Sequence, residues 1–183
     1  MKKLLLATML LGFSLILVGC GKNTSSISWD EQQVVATDQY KNKEKWFSLT
    51  FPRDWTFKEN VYGSLVMFFS PVKEKSDVRE NFGVAVQKLK AWTSILDSYG
   101  AFKTNLSSSM KDFSITTEED IKIWGENGKK IIYQVKEGDY KIKFEQIFFQ
   151  KNQELYILTY TALNNTFDDY LPTVDGIIAS FWF

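Results

Sequence analysis

The 183-residue sequence predicts an α+β fold: an antiparallel β-sheet of about seven to eight strands, in largely meander order, with helices packed on its faces. Three observations lead there. Several segments alternate apolar and polar residues with period two, the signature of half-buried strands. Short Gly- and Asn-containing links separate them, as tight hairpins require. Two further segments carry apolar residues at spacings of three and four, the signature of a helix face. The 15 Phe, 8 Tyr and 6 Trp suit such a β-rich core.

Trp46 to Phe51 alternates and reads as the first strand, followed by a turn at Pro52-Arg53-Asp54. Trp55 to Lys58 starts a second strand, and Ser64 to Ser70 is a more fully apolar third, stopped by Pro71. Val72 to Asn81 is charged without an apolar pair and reads as a surface loop. Phe82 to Leu89 is a fourth strand.

The period then changes. Ile95, Leu96, Tyr99, Phe102, Leu106 and Met110 share one helical face within Thr93 to Met110, with Ser94 and Asp97 spaced as a capping box. A meander follows, with strands over Ile115–Trp124, Lys130–Lys136, Tyr140–Gln150 and Glu154–Leu163. Its expected turns are Gly125-Glu126-Asn127-Gly128, Glu137-Gly138-Asp139 and Lys151-Asn152-Gln153. At the end, Phe167, Tyr170, Leu171, Val174, Ile177, Ile178 and Phe181 form one apolar stripe. Thr166 and Asp169 are spaced as a second capping box. Pro172 is unfavourable inside a helix, so the main helix is expected to start near Leu171.

The N-terminus reads differently. Lys2 and Lys3 precede the apolar run Leu4 to Val18, and Leu17-Val18-Gly19-Cys20 closes it. A basic start, an apolar core of about 7–15 residues and a small-residue cleavage site make a secretory signal. The core is short for a spanning helix, which needs roughly 20 residues. Cys20 is the only cysteine in the chain, and the run resembles the bacterial lipobox, which implies lipidation of Cys20 after removal of residues 1–19. The expected location is the cell membrane or envelope, lipid-anchored and facing outside the cytoplasm. Residues 20–45 then form a lipidated N-terminus and polar tether, and residues 46–183 the domain. A short edge strand over Gln33 to Thr37 is the alternative for part of the tether.

Composition narrows the chemistry. The chain has no histidine, and Cys20 is the lone thiol, so disulfides, thiolate metal centres and Ser–His catalysis have no residues to use. Removing Lys2 and Lys3 leaves a slight acidic excess, which argues against nucleic acid as a partner. Glu118-Glu119-Asp120 could ligate a hard cation, but neighbouring strand residues point to opposite faces, so a solvated strand is expected instead. Asp168-Asp169 reads as first-turn acids opposing a helix dipole. Trp55 and Phe51 are expected in the core. No catalytic residue, metal ligand or cofactor is assigned, and no residue is singled out for a partner or ligand surface.

With the element order in place, two segments carry a resemblance. Phe47-Ser48-Leu49-Thr50-Phe51-Pro52-Arg53-Asp54-Trp55 and the ending Ile177-Ile178-Ala179-Ser180-Phe181-Trp182-Phe183 resemble the PsbP-like family, whose members share a Mog-type fold. The resemblance covers Trp46 to Phe183. It implies an antiparallel sheet with helices on its faces and a role in binding or assembly, with no shared catalytic residues. The expected function is a membrane-anchored envelope lipoprotein with a non-catalytic binding or assembly domain and an envelope protein as partner. The alternative is a small-ligand or metal-binding lipoprotein serving a transporter.

Overall fold

The computed structural model describes residues 36–72, 79–110 and 112–183. Nine strands and two helices follow in the order β1 (Thr37–Asn42), β2 (Phe47–Pro52), β3 (Thr56–Val61), β4 (Ser64–Phe69), β5 (Asn81–Lys88), α1 (Ile95–Ser109), β6 (Ser114–Ile123), β7 (Glu126–Glu137), β8 (Tyr140–Lys151), β9 (Glu154–Leu163) and α2 (Phe167–Ala179). Seven strands make one antiparallel sheet in the order β3-β4-β5-β9-β8-β7-β6, while β1 and β2 form a separate pair. Two meanders, β3–β5 and β6–β9, are therefore joined where β9 returns to β5. The crossover between them is α1.

The sheet is the middle of three layers. Its residues alternate between two cores because successive side chains point to opposite faces. Phe68, Phe82, Val84, Ile147, Phe149, Leu158 and Tyr160 pack with β1–β2 and α2 on one face. Tyr133, Ile142, Phe144, Phe148, Leu155 and Ile157 pack with α1 on the other. Trp55 and Phe51 are buried in the first core, as expected.

Four two-residue hairpins set the registers. The central residues Tyr62-Gly63, Trp124-Gly125 and Asn152-Gln153 all have positive φ, and Gly138 does before Asp139. Primed turns of this kind match the right-handed twist of the flanking strands. The turn expected at Gly125–Gly128 thus sits two residues earlier, and Asn127-Gly128 lies inside β7. Gly128 serves packing: a Cβ there would stand 2.7 Å from the Phe148 carbonyl oxygen.

Other differences from the sequence reading have simple causes. Thr37–Asn42, within the segment read as tether, pairs along the whole of β2. Of its six residues only Tyr40 is buried, so no apolar periodicity marks the strand. The charged loop expected over Val72 to Asn81 ends in buried residues, because Glu80 accepts a 2.8 Å hydrogen bond from the Ser70 hydroxyl. Helix α2 starts at Phe167 and keeps Pro172 inside it. Pro172 and Asp168 both lie on the exposed face, where water can satisfy the Asp168 carbonyl that the missing N–H leaves free. Thr166 is in the right-handed helical region and makes no side-chain cap, so the second capping box does not form. The first one does: Ser94 and Asp97 exchange both hydrogen bonds.

Candidate functional site

The C-terminal segment builds the end of the molecule where three tryptophans stand exposed. After α2, Trp182 exchanges two 2.8 Å backbone hydrogen bonds with Ser48, extending the small sheet by one bridge. The Ser180 hydroxyl donates to the Ile177 carbonyl at 2.7 Å and accepts from the Thr50 N–H at 2.8 Å. Phe181 turns inward and stacks on Phe47, with ring centroids 4.7 Å apart. By alternation Trp182 turns outward. The two segments that carried the family resemblance are thus bound to each other, which is a structural role.

This end, the loop end, also carries the β1–β2 connection, the β5–α1 connection and the β8–β9 hairpin. Two shallow, open grooves flank that hairpin. One is lined by Leu89, Lys90, Trp92, Ser94, Gln150 and Gln153 on the α1 side. The other is lined by Lys45, Trp46, Lys151, Asn152, Tyr156 and Phe183 on the opposite side. Trp46 is 79% exposed, Trp92 100% and Trp182 72%. Trp46 and Trp92 have φ of 54° and 71°, a conformation that bulky residues seldom adopt. Neither gains burial in return. Strain of this kind, unrewarded by packing, is a reason to look for function.

The local charges are of both signs, Glu44 and Glu154 lining the second groove beside Lys45 and Lys151. Lys45 donates to Glu154 at 2.6 Å, and that carboxylate holds its ammonium above the ordinary range. Burial, helped by Glu154, pushes the Tyr156 phenol up to about 12. Lys151 lies over the Phe183 ring at 4.4 Å. For Lys43, Lys88 and Lys90 no ion pair is formed with any described residue.

The acidic run on β6 behaves as expected of alternating strand residues. Glu118 pairs with Lys103 and Asp120 with Lys129, both on the α1 side. Lys103 is the main reason that the Glu118 carboxyl is held below its usual range. Glu119 faces the other way. Among the described residues, no three acidic side chains are placed to hold a metal ion. Asp168 and Asp169 sit in the first turn of α2.

One buried charge was not legible in the sequence. Glu145 is 2% exposed, under α2. Lys130 Nζ stands 2.9 Å from its Oε1, close enough for a charge pair, although neither carboxylate oxygen receives a well-directed hydrogen bond. Burial raises the Glu145 pKa, Lys130 opposes this, and Asp175 and Glu119 add to it. In sequence Glu145 is one of several alternating polar residues of β8, and nothing distinguishes it from Lys143. Cys20 and the lipobox residues lie outside the described residues, and no described helix is long and apolar enough to cross a membrane.

Comparison with known proteins follows the architecture. Residues 20–183 match the family model described as PsbP-like protein. The structure is similar to cyanobacterial PsbP (CyanoP) from Synechocystis sp. PCC 6803, with TM-score 0.60 and 15% identity over 85% of this chain and 96% of that one. It is similar to LpqN of Mycobacterium tuberculosis, with TM-score 0.63 and 10% identity over 80% of this chain and 89% of that one. A third similar structure is the Ran-binding protein Mog1p of Saccharomyces cerevisiae, with TM-score 0.57 and 4% identity over 81% and 95%. Among curated proteins none matches the chain. All three likenesses show a shared fold, and the family match spans nearly the whole sequence; this chain belongs to the PsbP-like family.

Proposed function

We propose that the protein is a lipid-anchored envelope lipoprotein whose PsbP-like domain binds or assembles a partner and catalyses no reaction. The observation that carries this is the loop end, with three exposed tryptophans around open grooves. Enclosed sites that bury most of a small ligand look different, which favours binding over the small-ligand alternative. The chain lacks histidine, the commonest general base, and has no thiol besides Cys20, which supports the non-catalytic reading. The lipobox at Leu17 to Cys20 supports anchoring, with Cys20 as the acylated N-terminus. LpqN, of similar fold, is described as involved in cell envelope biogenesis, a setting that agrees with this reading. The partner class expected is an envelope protein.

The test is photo-crosslinking of the full chain in intact cells, from position 92 at the loop end and position 136 at the other end, followed by purification and mass spectrometry. A discrete adduct with an envelope protein from either position, together with an acylated Cys20 peptide, is the expected outcome. Reproducible turnover by the purified protein that vanishes on changing one carboxylate would overturn it.

A further inference from the structure

We infer that the loop end seats on an anionic lipid bilayer, with Trp46, Trp92 and Trp182 at the interface and Lys43, Lys88 and Lys90 against the headgroups. This deepens the binding reading of the same end and leaves the other faces of the domain for a protein partner.

Shape, composition and charge point the same way. The three tryptophans sit on three separate connections around one end of the sandwich, and none is stacked on another ring among the described aromatic pairs. They project as separate tips. A protein partner is gripped best by anchors clustered in a desolvated, well-packed pocket, and the grooves here are shallow and open. Separate projecting indoles fit a soft, laterally adaptable surface better. Tryptophan is the residue favoured at the membrane–water boundary, where an apolar ring and a polar N–H are both satisfied.

The lysines supply the second term. Lys43 lies in the β1–β2 connection beside Trp46, and Lys88 and Lys90 flank the path to Trp92. None of the three is neutralised by a described carboxylate. Lysines near an anionic surface are drawn to its headgroups, an attraction that falls away within a Debye length. The indoles place the domain and the lysines select the lipid charge. The left-handed backbone at Trp46 and Trp92 then has a use, because both side chains stand out in solvent where a bilayer can take them up.

The reach of the chain permits this. Ala36 is hydrogen-bonded to Arg53 at the opposite end from the loops. The twelve residues of β8 make the sheet about 40 Å long. The stretch between Cys20 and Ala36, about 16 residues, can extend to roughly 55 Å. A lipid on Cys20 and the loop end can therefore touch one bilayer together.

The experiment uses the full chain reconstituted in vesicles of phosphatidylcholine with about one-third phosphatidylglycerol, and in phosphatidylcholine alone. Both are prepared with and without bromine on the upper acyl chain, which quenches nearby indoles. Quenching is expected in the anionic vesicles and should be at least about threefold weaker in the neutral ones. The K43E/K88E/K90E triple variant keeps every tryptophan and should lose the same signal while melting like the parent. Trp92→Phe should remove part of the quenched emission, which separates the loop end from Trp29, nine residues after Cys20 in sequence. Equal quenching of parent and triple variant in anionic vesicles would overturn the inference. So would unquenched emission accompanied by a crosslink from position 92 to one envelope protein; in that case the loop end docks protein, and the proposed binding function stands.

Discussion

The two faces of the central sheet are covered in different ways. On one face, α2, the β1–β2 pair and the C-terminal residues close over a continuous aromatic core in which Phe47, Phe149, Tyr156, Trp124, Phe181 and Phe183 are in mutual ring contact. The other face is covered by α1 alone, and of its fifteen residues only Tyr99 and Leu106 are buried. Phe102 adds edge and tilted contacts with Tyr133 and Phe148. Burial of apolar area sets the strength of each cover, so the α2 face should hold the fold together and α1 should open first. The difference also bears on function, because α1 begins at the loop end, next to Trp92.

The α2 face should give way most visibly at Phe181. Phe181→Ala removes a fully buried ring from the aromatic cluster and should cost about 4 kcal/mol. It should also detach the Trp182 bridge to Ser48. Chemical denaturation measures the loss; a cost near 1 kcal/mol would mean that the C-terminal segment does not hold this face closed.

A second, smaller effect concerns the weaker cover. Ser94→Ala deletes the capping box of α1 and should cost about 1 kcal/mol. The loss should be local, so hydrogen exchange in Ile95–Ser109 accelerates roughly fivefold while α2 amides stay unchanged. Uniform acceleration in both helices would show that the two faces open together.

The smallest effect is a slope. Burial raises the pKa of Glu145 in the fold above its unfolded value. The folded state then binds the proton more tightly than the unfolded chain. The resulting stabilisation is present below the unfolded carboxylate pKa and is lost as pH rises through the raised folded value. Lys130, Asp175 and Glu119 are the charges that face the group. Glu145→Gln should therefore remove this loss, so that stability falls less or rises more as pH climbs above the ordinary carboxylate range, read from melting temperatures at successive pH values. A parallel downward shift at every pH would mean that the Lys130 pair, and not burial, dominates the site.

Much of this architecture was readable without coordinates. The alternation in Phe47–Phe51, Ile131–Val135 and Tyr140–Phe144 named both strands and their inward faces, because a period of two survives any packing arrangement. Ser94 and Asp97 marked the start of α1, since a capping box is a contact between residues three apart. Such local signals also account for the misses. Thr37–Asn42 carries a single inward residue and looks like tether until β2 is beside it. Asn127-Gly128 looks like a turn because the pair favours one, but the sheet needs Gly128 where a Cβ would meet the Phe148 carbonyl.

The residues alone carry the class of fold, the family resemblance, the absence of histidine chemistry and the expectation of a lipid anchor at Cys20. All of these reside in composition, short-range spacing or contiguous motifs. The tertiary structure alone brought Trp46, Trp92 and Trp182 to one end, put Glu145 beneath α2 beside Lys130, and bound Ser180 to Thr50 across 130 residues of chain. Those relations depend on which strand lies next to which. Strand order is set by the summed burial of two cores, and no local pattern records it.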